Sequence, residues 1–269
     1  MSESIITIEI EVHKAGSLKN LLTSITDSMK SLTLTGPING TDFKAIRDLK
    51  SLEYLDLSNC KFVGGGRTYT INDYGEKISC KASPDELSDY LLVHMEGCKQ
   101  YKGVILPEGI NRIGRSALGG HNEMKSIKIP DSVVEIDDSA FACCCGLTQI
   151  YLGKNLKRIG DGAFWIMNDI TVIEIPSSVE FIGKTSLFTR KLEKIKVLNP
   201  TPPIMQMEYF EFPGVKQLGA FKDVKIIRSV MNPFNTRTCK LIVPKGSLTR
   251  YKMAFGWRDF KNISVELKD

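Results

Sequence analysis

Apolar side chains return at a fixed interval along this chain. Pro84, Pro107, Pro130, Gly153 and Pro176 stand 23 residues apart, and Leu87, Ile110, Val133, Leu156 and Val179 keep the same step. So do Tyr90, Ile113, Ile136, Ile159 and Ile182, then Met95, Leu118, Phe141, Phe164 and Leu187, then Val104, Ile127, Ile150 and Ile173. Separate registers agreeing on one step mark an internal repeat, and a period of this length is the signature of a solenoid. Within a unit, Met124-x-x-Ile127-x-Ile129-Pro130 alternates apolar and polar positions, which predicts a short strand with one buried face, ended by proline. Val133, Ile136, Ala140-Phe141 and Leu147 follow at irregular spacing, which predicts a tight turn and a short helical or 3₁₀ return. A coil this short cannot bury its own apolar side. Neighbours must therefore stack, their strands forming a parallel sheet and their Ile, Leu and Phe columns a continuous core.

The period extends beyond the clearest block. Met29-x-x-Leu32-x-Leu34 and Leu52-x-x-Leu55-x-Leu57-x-x-Cys60 lie 23 residues apart and carry the leucine-rich-repeat signature. Between Leu57 and Leu106 the register slips by three over two periods, and Gly64-Gly65-Gly66 with Asn72-Asp73 places an insertion near 62–82. Ile175 to Val197 spans 22 residues and Val197 to Val243 spans 46, which leaves room for one further coil around Ala220-Phe221. Dividing the chain between Met29 and Val243 by the repeat gives about 8 to 9 coils. The expected fold is an α/β solenoid of leucine-rich-repeat type: right-handed, with a parallel sheet of short strands, short helical or 3₁₀ returns, and capped ends. It is expected as one domain over 1–269: an N-terminal cap and first coil (1–50), the repeats (51–198), an irregular segment (199–238), and a final strand with its cap (239–269).

The string Leu106-Pro-x-x-Ile110-x-x-Ile113-Gly114-x-x-Ala117-Leu118 resembles the BspA-like leucine-rich repeats of bacterial surface proteins, many from Bacteroidetes, and Phe141, Cys144, Leu147 and Ile150 match that unit position by position. Leu32 to Phe43 is similar to the family's entry segment, and Leu241 to Phe260 to its closing strand and helix. Departures are Ser186-Leu187 where the family has Ala-Phe, His94-Met95 in the first clear unit, and the stretch Asn199 to Thr238. The resemblance implies a secreted or cell-surface protein used in adhesion or assembly, with a signal peptide or lipid anchor in its full-length product.

Motifs that would carry chemistry are sparse. The chain has 36 Lys and Arg against 31 Asp and Glu, so its charge of +5 is mild, and it is spread rather than gathered for nucleic acid. No run of 18 apolar residues spans a bilayer, and Met1 to Glu11 lacks a signal-peptide pattern. Seven Cys cannot all pair within the chain, and no Cys-x-x-Cys suggests zinc. Cys144 reads as a column residue whose equivalents are Cys98, His121 and Met167, which makes His121 structural. Gly183-Lys184-Thr185 lacks the first glycine of a P-loop, and Gly114-Arg115-Ser116 the closing glycine of a nucleophile elbow. His13, His94 and His121 have no metal-ligand spacing. No catalytic residue, metal or cofactor is expected.

Binding has better support, because a stacked sheet displays its outward positions as a ladder. That ladder reads Thr33, Asp56, Ile105, Lys128, Tyr151, Glu174 and Lys196, with Lys102, Lys125, Gln149 and Val172 beside it. Ile105, Lys125, Lys128, Tyr151, Glu174 and Lys196 form the candidate contact patch, for a protein or glycan partner. The alternative is a structural spacer in a surface assembly. Trp257 and Phe260 read as cap core. Met205, Met207, Tyr209, Phe210, Phe212 and Phe221 read as packing over an open end of the solenoid, or else as a contact loop. Lys184, Arg190, Lys191, Lys194 and Lys196, with Lys245, Arg250 and Lys252, form a basic run, but Glu193 interrupts it and no aromatics interleave it.

Overall fold

The computed structural model describes residues 7–22, 28–73, 76–94, 100–187, 189, 191–206, 208–210, 229–231 and 236–266. In chain order, β1 (Thr7–Glu11) and α1 (Leu18–Leu21) lead to β2 (Ser31–Ile38), α2 (Gly40–Arg47) and β3 (Tyr54–Asp73). Then come β4 (Glu76–Pro84), β5 (Glu86–Leu87), β6 (Gly103–Ile105), β7 (Arg112–Ile113), β8 (Ser126–Lys128), β9 (Glu135–Ile136), β10 (Gln149–Tyr151) and β11 (Arg158–Ile159). The chain continues through β12 (Val172–Ile175), β13 (Phe181–Ile182), β14 (Lys194–Val197), β15 (Ile204–Met205), β16 (Glu208–Phe210) and β17 (Ser229–Met231). It ends with β18 (Lys240–Val243), α3 (Leu248–Met253) and β19 (Asn262–Val265).

These elements wind a parallel-strand solenoid of about nine turns. One column of strands runs in three hydrogen-bonded segments, β1-β2-β3-β6, then β8-β10, then β12-β14-β18-β19, and a second column of two-residue strands runs β5-β7-β9-β11-β13-β15. Alternation sets which residues enter the core. Ile127, Ile129, Ile150, Ile173, Ile175, Ile195 and Val197 point inward from the first column, and Leu87, Ile113, Ile136, Ile159, Ile182 and Met205 from the second; all are buried. Between the columns Phe141 and Phe164, one coil apart, stack with centroids 5.1 Å apart and rings 4° from parallel.

The returns are tighter than helical pieces. They are single i to i+3 turns, such as Ala117 N–H to the Gly114 carbonyl and Ala140 N–H to that of Asp137. Left-handed residues recur in them with the repeat: Ser116, Ser139, Gly162 and Thr185 have φ of 50 to 59°, and Gly120, Cys143 and Ile166 lie at 87°, 61° and 57°. A left-handed residue every few positions prevents helix from propagating. Among the described residues, helix is confined to the terminal parts of the chain.

Two excursions leave the spiral without breaking the rungs. β3 continues past its pairing with β2 into an antiparallel hairpin with β4, yet β6 still pairs with β3, Leu55 opposite Val104. Gly64, Gly65 and Gly66 all have positive φ there, and a side chain at Gly66 would strike the Asn39 side chain and the Thr41 backbone. The second excursion corrects an expectation. Ile195 of β14 lies directly opposite Leu241 of β18, so no rung stands between them, and the 46-residue spacing holds no extra coil in this column. Ala220 and Phe221 lie outside the described residues; that excursion includes β15 and the antiparallel pair β16 and β17. Spacing counts residues and cannot tell a coil from a loop of the same length. β1 was also not anticipated: it adds a coil before the leucine-rich signature, with Ile8 opposite Leu32 and Ile10 opposite Leu34.

At the start, the buried Asp42 carboxylate accepts from the N–H groups of Gly16 (2.6 Å), Leu18 (2.9 Å) and Asn39 (2.9 Å), tying the first coil to α2. At the other end, buried Trp257 and Tyr251 hold the α3 region on the last turns: the indole N–H donates to the Pro203 carbonyl and the phenol to that of Asn199, each at 2.7 Å. Replacing Asp42 by Ala strands three N–H donors and is expected to lower the unfolding free energy by about 3 kcal/mol, measured by urea denaturation. Ile166→Gly relieves a β-branched residue of its left-handed backbone and is expected to raise it by about 1 kcal/mol in the same assay.

Candidate recognition surface

Two outward rows cross the first strand column, and the pairing fixes them. One is Thr33, Asp56, Ile105, Lys128, Tyr151, Glu174 and Lys196, as the alternation predicts; the other holds Ser31, Tyr54, Gly103, Ser126, Gln149, Val172 and Lys194. Lys102 and Lys125, expected beside Gln149 and Val172, stand one residue earlier, because Gln149 is opposite Ser126. On this face Ile105, Tyr151 and Val172 are 54%, 56% and 48% exposed, three large apolar groups gathered on one face.

A groove of about 620 Å³ lies on this face where the first strand segment meets the second. Tyr54, Ile105 and Pro130 supply its apolar walls, and Ser31, Thr33, Gly103 and Ser126 leave the space between them open. Lys102, Lys125, Lys128, Asp56 and Glu108 also line it. Lys102 is engaged with Glu53 at 3.0 Å and Glu123 at 3.5 Å, bonds that hold it above the usual lysine range, the Glu53 bond most. Asp56 accepts from the Ser58 N–H at 2.8 Å and Glu108 from that of Ser132 at 3.4 Å. Lys125 and Lys128 form no ion pair among the described residues.

The six candidate residues thus share one face but differ in state. Ile105, Lys125 and Lys128 border the groove, and Tyr151 follows on the next rung, its hydroxyl 3.1 Å from Gln149 Oε1. Glu174 and Lys196 are joined at 3.0 Å, and Lys196 also meets Glu266 at 2.9 Å, so that end is largely self-neutralised. Tyr54 and Gly103 were missed. Their rungs lie 49 residues apart, outside the period, and only the β3 to β6 pairing places them together. Of the basic run, Lys191 pairs with Asp169 at 2.7 Å, Lys196 is bound as described, Lys194 lies opposite Lys240, and Arg190 lies outside the described residues. Of the aromatic segment, Met205 is buried. Met207, Phe212 and Phe221 lie outside the described residues, and for Tyr209 and Phe210 only the backbone is described.

The second column presents a contrasting surface. Its outward row is Glu86, Arg112, Glu135, Arg158, Phe181 and the exposed Ile204, with Arg112 3.3 Å from Glu86, Arg158 3.0 Å from Glu135, and the Arg158 guanidinium 4.4 Å above the Phe181 ring centre. Arg112 also binds Asp89 at 2.7 Å and Asp137 at 2.5 Å.

Buried polar groups are mostly satisfied internally. His121 accepts the Tyr101 N–H at Nδ1 (3.1 Å) and donates from Nε2 to the Leu92 carbonyl (2.7 Å), which assigns it as the neutral Nε2-H tautomer. Burial pushes its pKa down to about 4, with the His94 ring 6.0 Å away adding to the effect. Cys60 and Cys144 donate to the carbonyls of Leu34 and Leu118 in the preceding coil, at 3.2 and 3.1 Å, and burial pushes both thiols up to about 12, as it does Cys239. These thiols stay protonated at neutral pH. Cys98 lies outside the described residues. Among the described residues no three His, Cys, Asp or Glu side chains converge as metal ligands, and no helix is long and apolar enough to cross a membrane.

Stacked parallel coils with one open strand face define a leucine-rich-repeat solenoid. Residues 94–212 match the BspA type leucine rich repeat region in six copies, so this part of the chain is similar to repeats of that type. Repeats of this type are associated with cell-surface proteins and act as interaction modules. No curated protein matches the chain. A solved leucine-rich repeat protein from Bacteroides ovatus is similar at 16% identity and a TM-score of 0.44, over 97% of this chain and 60% of that one. The chain thus spans less than two thirds of that protein's length.

The His121 environment makes stability depend on pH. Its folded pKa of about 4 lies below the free value of 6.5, so the unfolded chain takes up the proton first as pH falls. This contribution is intact above pH 6.5, declines below it, and is lost by about pH 4, a change on the order of 3 kcal/mol. The unfolding free energy of wild type minus that of His121→Gln is expected to shrink over that window. In the native protein at pH 8, mass-mapped alkylation is expected to leave Cys60, Cys144 and Cys239 unmodified until denaturant is added.

Proposed function

We propose that this chain is a noncatalytic recognition module of a surface-exposed or secreted bacterial protein, and that it engages a protein or glycan partner through the strand face. The observation that carries this reading is the contrast between the two ladders. The second column neutralises its own charges, whereas the strand face leaves Ile105, Tyr151 and Val172 exposed beside Lys125 and Lys128, around a groove. Exposed aromatic and aliphatic anchors with charged groups at their edge are the composition from which binding hot spots are built. Catalysis has no support of this kind: His121 and the thiols of Cys60, Cys144 and Cys239 are buried, and the first three are engaged with backbone groups.

The test is a screen of the purified chain against a glycan array and host matrix proteins at two salt concentrations, followed by the triple variant Ile105→Ala, Lys128→Ala, Tyr151→Ala on any saturable hit. Binding that resists salt is expected, since apolar contacts are not screened. The triple variant is expected to weaken it at least about 30-fold, or about 2 kcal/mol. A partner that binds the triple variant as tightly as wild type sinks the strand-face assignment, and self-association without any soluble ligand would favour a structural spacer.

A further inference from the structure

We propose that the groove between Tyr54 and Lys128 is a subsite for a carboxylate-bearing sugar, such as a uronic acid residue of an acidic glycan; this rests on the strand face being the recognition surface. The groove is polarised. Asp56 on β3, with Ser31 and Thr33 of β2 beyond it, lies toward one end, and Lys125 and Lys128 at β8 toward the other, two rungs or roughly 10 Å away at the usual strand spacing, where Glu108 is held by the Ser132 N–H. Lys102 between them is neutralised by Glu53 and Glu123, so the available positive charge is that of Lys125 and Lys128. An occupant with an anion at one end and hydroxyl donors at the other complements this arrangement, because a carboxylate such as Asp56 only accepts hydrogen bonds and lysine only donates them.

The lining favours a sugar over an acidic peptide. Across β3 and β6 the strand backbone is committed, Leu55 lying opposite Val104, so that side of the groove offers no edge for a peptide strand to extend. Recognition there must come from side chains, and those that line the groove beside the charged groups are the hydroxyls of Ser31 and Thr33 on β2 and Ser126 on β8, with the Tyr54 ring. Hydroxyls both donate and accept, which matches a ligand whose own groups are hydroxyls. Gly103 keeps the space open. It is paired with Tyr54, its φ lies outside the left-handed region, and a Cβ there would sit 3.1 Å from Tyr54 Cδ1. The Tyr54 ring thus leaves little room for a side chain here, and glycine lets it lie close along β6 as a wall of the groove.

Calorimetric titration with a galacturonic acid trimer, its methyl ester, and a hexaglutamate peptide tests the assignment. The trimer is expected to bind, and the uncharged ester to bind at least about tenfold more weakly. The pair Lys125→Gln, Lys128→Gln is expected to weaken the trimer by a similar factor, Gly103→Val to abolish binding by filling the groove, and Lys157→Ala, beside the second column, to leave it unchanged. Gly103→Ser, a smaller intrusion, and the circular dichroism of each variant separate blocked binding from misfolding. Failure of the trimer to bind, equal binding of trimer and ester, undiminished binding to a folded Gly103→Val, or equally tight binding of hexaglutamate would each overturn the proposal. If the trimer fails while a screened partner still depends on Ile105, Lys128 and Tyr151, only the sugar subsite falls and the strand-face reading stands.

Discussion

A coil of 23 residues carries two strands of two to four residues and a handful of apolar side chains, and none of these can be satisfied within the coil. The N–H of Gly160 finds the Ile136 carbonyl in the preceding turn, that of Gly183 finds Ile159, and Phe164 rests flat on Phe141. Every rung is held by its neighbours, so stability accrues along the stack rather than within any unit. From this follows what the sequence is free to vary. Inward positions stay apolar because a polar group there would lose its water without gaining a partner, while outward positions answer only to solvent and to whatever binds.

The same dependence explains how the chain tolerates two long departures from the spiral. The hairpin of β3 and β4, and the stretch between β14 and β18, both return to hydrogen-bond the strand from which they left. Closing a longer loop adds little entropy cost compared with losing a rung. The hairpin has a local consequence, since it lets Tyr54 and Gly103 become neighbours and so forms the side of the groove.

Where polar groups enter the interior, most are committed to the backbone. Asp42 closes the first coil, Cys60 and Cys144 each tie their own coil to the one before it, and His121 occupies the Cys144 column in an earlier coil with both nitrogens engaged. Chemistry needs groups with unmet bonding capacity, and these have little left. Among the described residues, His94 Nδ1, Gln100 Oε1 and Ser186 Oγ are left without a partner in the interior, and on the strand face Lys125 and Lys128 form no ion pair.

The repeat, the inward columns, the outward row through Ile105, Lys128 and Tyr151, and the resemblance to BspA-type repeats were all legible in the residues, because each coil solves the same burial problem and so repeats the same pattern. Cys144 and His121 could be placed in one column for that reason. The left-handed turns were not legible: Ser, Thr, Cys and Ile occupy them as well as Gly, and only the geometry of the return requires that conformation. The twofold spacing from Val197 to Val243 imitated a coil, and the separation of Tyr54 from Gly103 hid a contact, since both are settled by which strand edge remains free when the chain comes back. Periodicity records what a residue buries in its own coil. Which coils are adjacent is decided by hydrogen bonding between strands distant in sequence, and the groove belongs to that second kind of information.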